Sequence, residues 1–162
     1  MDAMNWRSTM GKFATGVTVI TTVDEAGNPL GMTANAFTSL SLDPPMVLIC
    51  VDNKSDTLTK LLASNKYGVN ILADHQEPLS RAFARKGGSE KFEGIAYSTG
   101  ETGVPVLSGC LVSVECIVKE AVQGGDHMIL LGEGVRIHEE ASVTEPLLFY
   151  RGKYEKLNGI GA

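Results

Sequence analysis

The chain has 162 residues, 43% hydrophobic and 20% charged, the mixture of an ordinary soluble globular protein, and its length suits one domain. Lys plus Arg is 14 against 19 for Asp plus Glu, a formal net charge of −5, so the broad cationic face that a non-specific nucleic-acid binder needs is not expected. The opening MDAMNWRSTMGKF lacks the apolar core of a signal peptide and no apolar run is long enough to cross a bilayer, which leads to the expectation of a cytoplasmic protein without a membrane partner.

Trp6, Met10 and Phe13 recur at helical spacing, so a short amphipathic helix is predicted, ending near Thr15-Gly16. The β-branched run GVTVITTV, the turn DEAGNP and the segment GMTANAFTS read as a hairpin. PMVLICV, residues 45–51, is apolar throughout and is predicted to be a strand buried on both faces. The period then changes. Leu58, Leu61 and Leu62 share a helical stripe, with Ser55 or Asp56 as N-cap and Asn65 near the end. YGVNILA returns to strand. EPLSRAFARKGG is predicted to be a helix with Pro78 in its first turn, Leu79, Ala82 and Phe83 inward, and Gly87-Gly88 as the stop. A loop-rich stretch follows. CLVSVECIVKEAV then alternates, with Val112, Val114, Cys116 and Val118 on one face; QGGD turns the chain, HMILLGEGVRI returns it, and PLLFYRGKY reads as a last strand. Many hairpin-linked strands with few helices predict a mainly β fold, a barrel or rolled antiparallel sheet with peripheral helices, rather than a doubly wound sheet. No glycine fingerprint of a dinucleotide-binding βαβ unit is present.

Cys50, Cys110 and Cys116 are odd in number and lack CxxC spacing, and His75, His127 and His138 are scattered. Neither a disulfide framework nor a metal site is expected, and each cysteine fits an apolar strand as a small hydrophobe.

Thr33, Ala34, Asn35, Ala36, Thr38 and Ser39 are small or carry hydroxyl and amide groups, so a planar, polar-edged ligand could approach the backbone closely. A sheet stretch under a packed helix, or an edge at a dimer interface, accounts for the same composition. Directly downstream, Lys54, Ser55 and Thr57 cluster where a strand opens into a helix; the first helical N–H groups lack partners there and attract an anion, although N-capping alone explains the serine. Arg81, Arg85, Lys86 and Lys91, with Phe92 beside them, could serve a second phosphate or stack on an adenine, or form a solvated face. His127 opens a strand beside Asp126, and Tyr150, Arg151, Lys153 and Tyr154 mix flat rings with cations in a way useful to a dinucleotide.

Taken in order, MGKFATGVTVITT, GMTANAFTSLSLDPPMVLICVD, KYGVNILA, GVPVLSGCLVSVEC, GDHMILLGEG and PLLFYRGKY resemble the flavin reductase family, the reductase components of two-component flavin-dependent monooxygenases. The resemblance covers about 10–157 of a chain taken as one domain, 1–162. It implies a homodimeric split β-barrel that binds FAD or FMN, accepts NADH or NADPH as hydride donor, and passes reduced flavin to a separate oxygenase. It also implies that Thr33, Ala34, Asn35, Ala36, Thr38 and Ser39 lie against the flavin ring. Cys50, Val51, Asp52, Lys54, Ser55 and Thr57 then form the strand-to-helix segment at the phosphate, while Phe83, Ala84, Arg85 and Phe92 serve the nucleotide end. His127, Tyr150, Arg151 and Lys153 fall on the nicotinamide side, His127 as the catalytic candidate. Gly134 departs from the family pattern, which has a β-branched residue there, and a change of packing or a bulge is expected. In such a protein the cofactor carries the chemistry and the chain aligns two rings. A flavin carrier or redox sensor without nicotinamide turnover, and a split-barrel oxidase of pyridoxine phosphate, are the competing expectations.

Overall fold

A computed structural model describes residues 1–143 and 145–157, built around a seven-stranded antiparallel sheet. After α1 (Ala3–Met10) and the short β1 (Thr15–Gly16), β2 (Thr18–Val23) and β3 (Pro29–Ala34) form the predicted hairpin, with Gly27 at φ 83° in its turn. Next come β4 (Phe37–Leu42), β5 (Pro45–Asp52), α2 (Asp56–Ser64), β6 (Lys66–Ile71) and α3 (Glu77–Ala84). β7 (Tyr97–Thr99) and β8 (Pro105–Leu107) make a small ribbon in the stretch expected to be loop. The long hairpin β9 (Val112–Gly124) and β10 (His127–Glu139) precedes β11 (Leu147–Tyr150) and β12 (Lys153–Lys156).

The sheet order is β3-β2-β6-β9-β10-β5-β4, so β3 and β4 are its opposite edges. Only Asn35 and Ala36 separate these strands in the chain. Such a link spans at most about 11 Å, so the sheet must roll until its edges almost meet. Cys50 N–H donates to Ala36 O at 3.0 Å across that corner. The segment GMTANAFTS is therefore two strands and a barrel corner, and its small residues sit at the seam.

Two apolar clusters fill the fold. Ile20, Ile49, Val51, Leu58, Leu61, Tyr67, Val69, Cys116 and Leu130 form one; Val17, Val19, Leu72, Phe83, Phe92, Leu107, Cys110 and Leu147 form the other. Burial of a leucine or phenylalanine is worth about 1.5–3 kcal/mol, which ties α2 through Leu58 and Leu61, and α3 through Phe83, to the barrel wall. Leu62, expected on the inward stripe, points outward.

Several expectations change. α1 stops at Met10, where Gly11 N–H bonds Arg7 O, and Thr15–Gly16 becomes a strand paired with Leu148–Phe149. Trp6 and Met10 of α1, and Phe13 after it, are exposed, because none of the described residues covers them. β5 is buried on one face only: Ile49 and Val51 point inward, while Met46, Leu48 and Cys50 are half-covered. α3 ends at Ala84, before Gly87-Gly88, since Arg85 is already extended. The last strand is a hairpin, β11 and β12, turning at Arg151 and Gly152, both in left-handed backbone. A β-bulge does occur between Gly134 and Arg136; a Cβ at Gly134 would sit 3.3 Å from a Val114 methyl.

Candidate functional site

The first part of the site follows from how β5 gives way to α2. Ile49 and Val51 hold β5 in the core up to Asp52, whose carboxylate accepts from Lys54 N–H at 2.8 Å and whose carbonyl accepts from Ser55 N–H at 2.9 Å. This turn places Ser55 as N-cap; its Oγ accepts from Thr57 N–H at 3.3 Å. The unsatisfied amides and the positive end of α2 are thereby aimed outward.

α3 supplies the facing wall. Phe83 packs on β3 at Gly31, where any Cβ would come within 2.9 Å of the ring, so glycine permits the close approach. That approach sets Ala84 and Arg85 beside Thr33. The Thr33 hydroxyl donates to Ser80 O at 2.6 Å, and the Ser80 hydroxyl shares a 2.7 Å hydrogen bond with the Tyr154 hydroxyl. Edge strand, helix and final hairpin are therefore locked together. Because Thr33 spends its proton internally, its side chain faces a ligand only as an acceptor.

Two cavities result, and they share Thr33 and Ala84. The first, of about 170 Å³, gathers Thr33, Lys54, Ser55, Thr57, Phe83, Ala84 and Arg85 with Met32, Lys86, Gly87 and Lys91. Its four cations face one carboxylate, Asp56. Burial draws the Lys91 ammonium below the usual lysine range, although Glu90 and Asp56 oppose this; its Nζ donates to Arg85 O at 3.1 Å. The second cavity, of about 250 Å³, is bounded by Thr33, Ala34, Asn35 and Ala84 on one side and by Phe149 and Tyr154 on the other. Those two rings meet edge-on at 5.4 Å, and the Arg81 guanidinium lies 4.8 Å from the Tyr154 ring. The donor set fits a phosphorylated ligand with a flat ring: cations and helix amides at one end, small side chains and aromatic walls at the other. Bulkier residues at Ala34 or Ala84 would fill this space.

The remaining predicted residues lie elsewhere. Ala36 forms the barrel corner, and the Thr38 hydroxyl turns back to Ser39 O at 3.1 Å. Ser39 borders a different, largely apolar cavity with Met46, Val47 and Val114. Val51 is fully buried, so only its main chain can meet a ligand, and burial raises the half-covered Cys50 thiol. Phe92 is committed to the core, edge-on to Phe83 at 4.9 Å and to Tyr97 at 5.2 Å, which leaves no free face to stack on an adenine. His127 pairs in register with Asp52 at the tip of the β9–β10 hairpin. Its Nδ1 lies 2.7 Å from Asp126, whose carboxyl is held below the usual range by that hydrogen bond and by the charges of His127 and Lys54. Tyr150, Arg151 and Lys153 sit around the last turn, where the Arg151 guanidinium stacks 5.1 Å from the Tyr150 ring. None of Thr38, Ser39, His127, Tyr150, Arg151 and Lys153 lines the joined cavities.

Ser80 and Phe149 are wall residues that the sequence did not point to, whereas Tyr154, grouped in the sequence with Tyr150, Arg151 and Lys153, lines the ring cavity. Ser80 left a trace, being a hydroxyl three residues before Phe83 and so on the inward side of the helix. Glu115 was also missed. It is fully buried on β9, accepts from Glu101 N–H at 3.0 Å, from Thr102 N–H at 2.7 Å and from the Thr102 hydroxyl, and lies 2.7 Å from His138 Nε2. Among the described residues no three His, Cys, Asp or Glu side chains gather as a metal site, and no helix is long and apolar enough to cross a membrane.

Comparison with known proteins completes the description. Residues 10–158 match the model of the flavin reductase like domain. The reductase subunit HsaB of a flavin-dependent monooxygenase from Mycobacterium tuberculosis is 39% identical over 155 residues, 95% of this chain and 82% of that protein. An NADH-dependent flavin reductase from a Rhodococcus species is 37% identical over 160 residues, 98% of this chain and 88% of its own. Among solved structures, the NADH:FAD oxidoreductase SgcE6 of Streptomyces globisporus, in complex with NAD and FAD fragments, superposes with a TM-score of 0.93 at 34% identity, covering 99% of this chain and 96% of that one.

Proposed function

The chain belongs to the flavin reductase family, and from that premise we propose that it is an NAD(P)H:flavin oxidoreductase supplying reduced flavin to a separate oxygenase. The observation that carries the reading is the pair of joined cavities, cationic at the start of α2 and small-walled along Thr33–Asn35. When bound, FAD or FMN supplies the ring that accepts the hydride. The chain holds the phosphorylated tail with Ser55, Thr57, Lys54, Arg85 and Lys86, and seats the ring against Thr33, Ala34, Asn35 and Ala84. Main-chain N–H groups of the edge strand β3 would stabilise negative charge on a bound ring, and Phe149 and Tyr154 would wall it from water. His127, oriented by Asp126, and the Tyr150–Lys153 turn are assigned to the nicotinamide donor.

The reading includes one domain with its core over about residues 10–157, which the span of the family match supports. It includes a cytoplasmic location, in keeping with three unpaired cysteines. A homodimer is part of it too. Ile137, 63% exposed, and Val135, 49% exposed, line one largely apolar cavity, and Leu42 at the end of β4 is 95% exposed, apolar surface that a second copy of the chain would cover. Light scattering that returned a monomeric mass would remove the dimer from the account.

Purified, flavin-free protein assayed with NADH and NADPH, each with FAD and FMN, tests the whole reading. Nicotinamide oxidation that depends on added flavin is expected. Flavin binding without oxidation in all four combinations would make the protein a carrier instead.

A further inference from the structure

A third cavity, of about 560 Å³, opens between α1 and the turn of the last hairpin. Arg7, Lys12 and Arg151 supply its charge, Met4 lines it, and among the described residues no acidic side chain does. Among the described residues none of the three cations makes a salt bridge. In a chain with formal net charge −5, such a grouping needs a cause. The negative end of α1 accounts for one cation near its C-terminus but not for three.

Arg151 adds a second observation. It stands at φ 50° and is followed by Gly152 at φ 79°, the two central positions of the β11–β12 turn. Asn-Gly is the usual pair for such a turn, and a long side chain in left-handed backbone is disfavoured. The strained residue is nonetheless an arginine, and its N–H donates to Gly11 O at 2.8 Å. That bond holds the turn against the end of α1 and brings Arg151 together with Arg7 and Lys12.

Phe149, a wall of the ring cavity, lies on β11, and Arg151 opens the turn that follows, two residues on. Thr15, paired with Phe149, receives the Asn35 side-chain amide at 3.4 Å. Through Phe149 and Thr15 the third cavity neighbours the ring cavity, and it shares no lining residue with the cavity at Lys54 and Ser55. We propose that Arg7, Lys12 and Arg151 bind the diphosphate of the nicotinamide dinucleotide donor, so that its nicotinamide enters beside the Thr33–Asn35 wall. This rests on the reductase reading above. Three cations match a diphosphate, and among the described residues no acid in the cavity competes with it.

The test is the double substitution Arg7→Gln and Lys12→Gln, both on the exposed surface at or just after α1, with glutamine preserving helix propensity. Steady-state kcat/KM is measured with NADH, with NADPH and with a phosphate-free 1-benzyl-1,4-dihydronicotinamide, and ADP-ribose binding is followed by calorimetry. The ratio of kcat/KM for NADH to that for the phosphate-free donor is expected to fall about tenfold, through KM, with ADP-ribose affinity falling in parallel. Equal falls for NADH and NADPH support the diphosphate; a fall confined to NADPH overturns it in favour of the extra phosphate. Unchanged ratios with unchanged ADP-ribose binding overturn the site altogether. A parent protein that binds ADP-ribose through these residues but oxidises no nicotinamide would instead sink the reductase reading and leave the site standing.

Discussion

Replacing Ser55 tests the phosphate end of the groove, because two consequences of one hydroxyl can be separated. Ser55 Oγ caps α2 by accepting from Thr57 N–H at 3.3 Å, and it also lines the cationic cavity. Loss of an N-cap serine costs about 1 kcal/mol, which in a chain of this length lowers Tm by about 2–4 °C. A hydroxyl that donates to a phosphate contributes about 1.5–3 kcal/mol in a desolvated site. This cavity is open to water, so we set the effect near the lower bound, about tenfold in flavin Kd. Ser55→Ala should therefore lose both stability and affinity. Ser55→Asp keeps a good cap but sets a carboxylate against the phosphate, so stability should stay near the parent value while flavin binding falls further than in Ser55→Ala. Fluorescence titration with FAD and FMN, beside urea unfolding of the flavin-free protein, measures the two quantities. Parent-like flavin affinity in Ser55→Asp would refute the placement of the phosphate at α2.

Other perturbations probe the walls and the frame. His127→Ala should slow nicotinamide-dependent reduction about tenfold, the value of one hydrogen bond of about 1.4 kcal/mol, with flavin Kd unchanged; equal loss of both would contradict its assignment to the donor. Gly31→Val drives a side chain into the Phe83 ring, whose atoms lie 2.9 Å from the Cβ position, and should cost about 1–3 kcal/mol in urea unfolding and weaken flavin binding as α3 moves off Thr33. Parent-like stability would show that α3 is not held by that contact. Glu115→Gln leaves buried donors without a carboxylate and should cost about 2–3 kcal/mol at neutral pH. Burial works against this carboxylate, yet the hydrogen bonds from Thr102, His138 and Glu101 hold it below the usual glutamate range. Its contribution is therefore complete above the unfolded-state value of about 4.3 and lost as pH falls through the lower folded value. The stability gap between parent and Glu115→Gln, followed by denaturant unfolding, should narrow only below about pH 4; a gap independent of pH down to 3 would exclude this linkage.

Much of the framework was legible because it depends on local rules. The β-branched run before DEAGNP and the Ser55 cap appear as read, and the turn read over Gln123–Asp126 narrows to Gly125-Asp126, since propensity, capping and turn chemistry act over a few residues. The cationic end of the site was legible for the same reason. Lys54, Ser55 and Thr57 are neighbours in the chain, and Arg85 follows directly on α3. Burial was less legible. Leu62 and both faces of β5 look like core by composition, but what covers a face is another part of the molecule. Phe92 looked like a stacking residue, and only the long-range contacts with Phe83 and Tyr97 show it packed inside.

By itself the sequence determined the strand-rich class, the two ends of α2 at Ser55 and Asn65, and the small, polar character of the Thr33–Ser39 segment. Tertiary structure alone decided that this segment breaks at Asn35-Ala36, sends Thr33 and Ser39 to opposite edges of the sheet, and locks Thr33 to Ser80 and Tyr154 from far along the chain. The physical reason is range. Period and propensity are set by neighbours a few residues apart, whereas closing a barrel joins edges and residues whose proximity no local preference encodes.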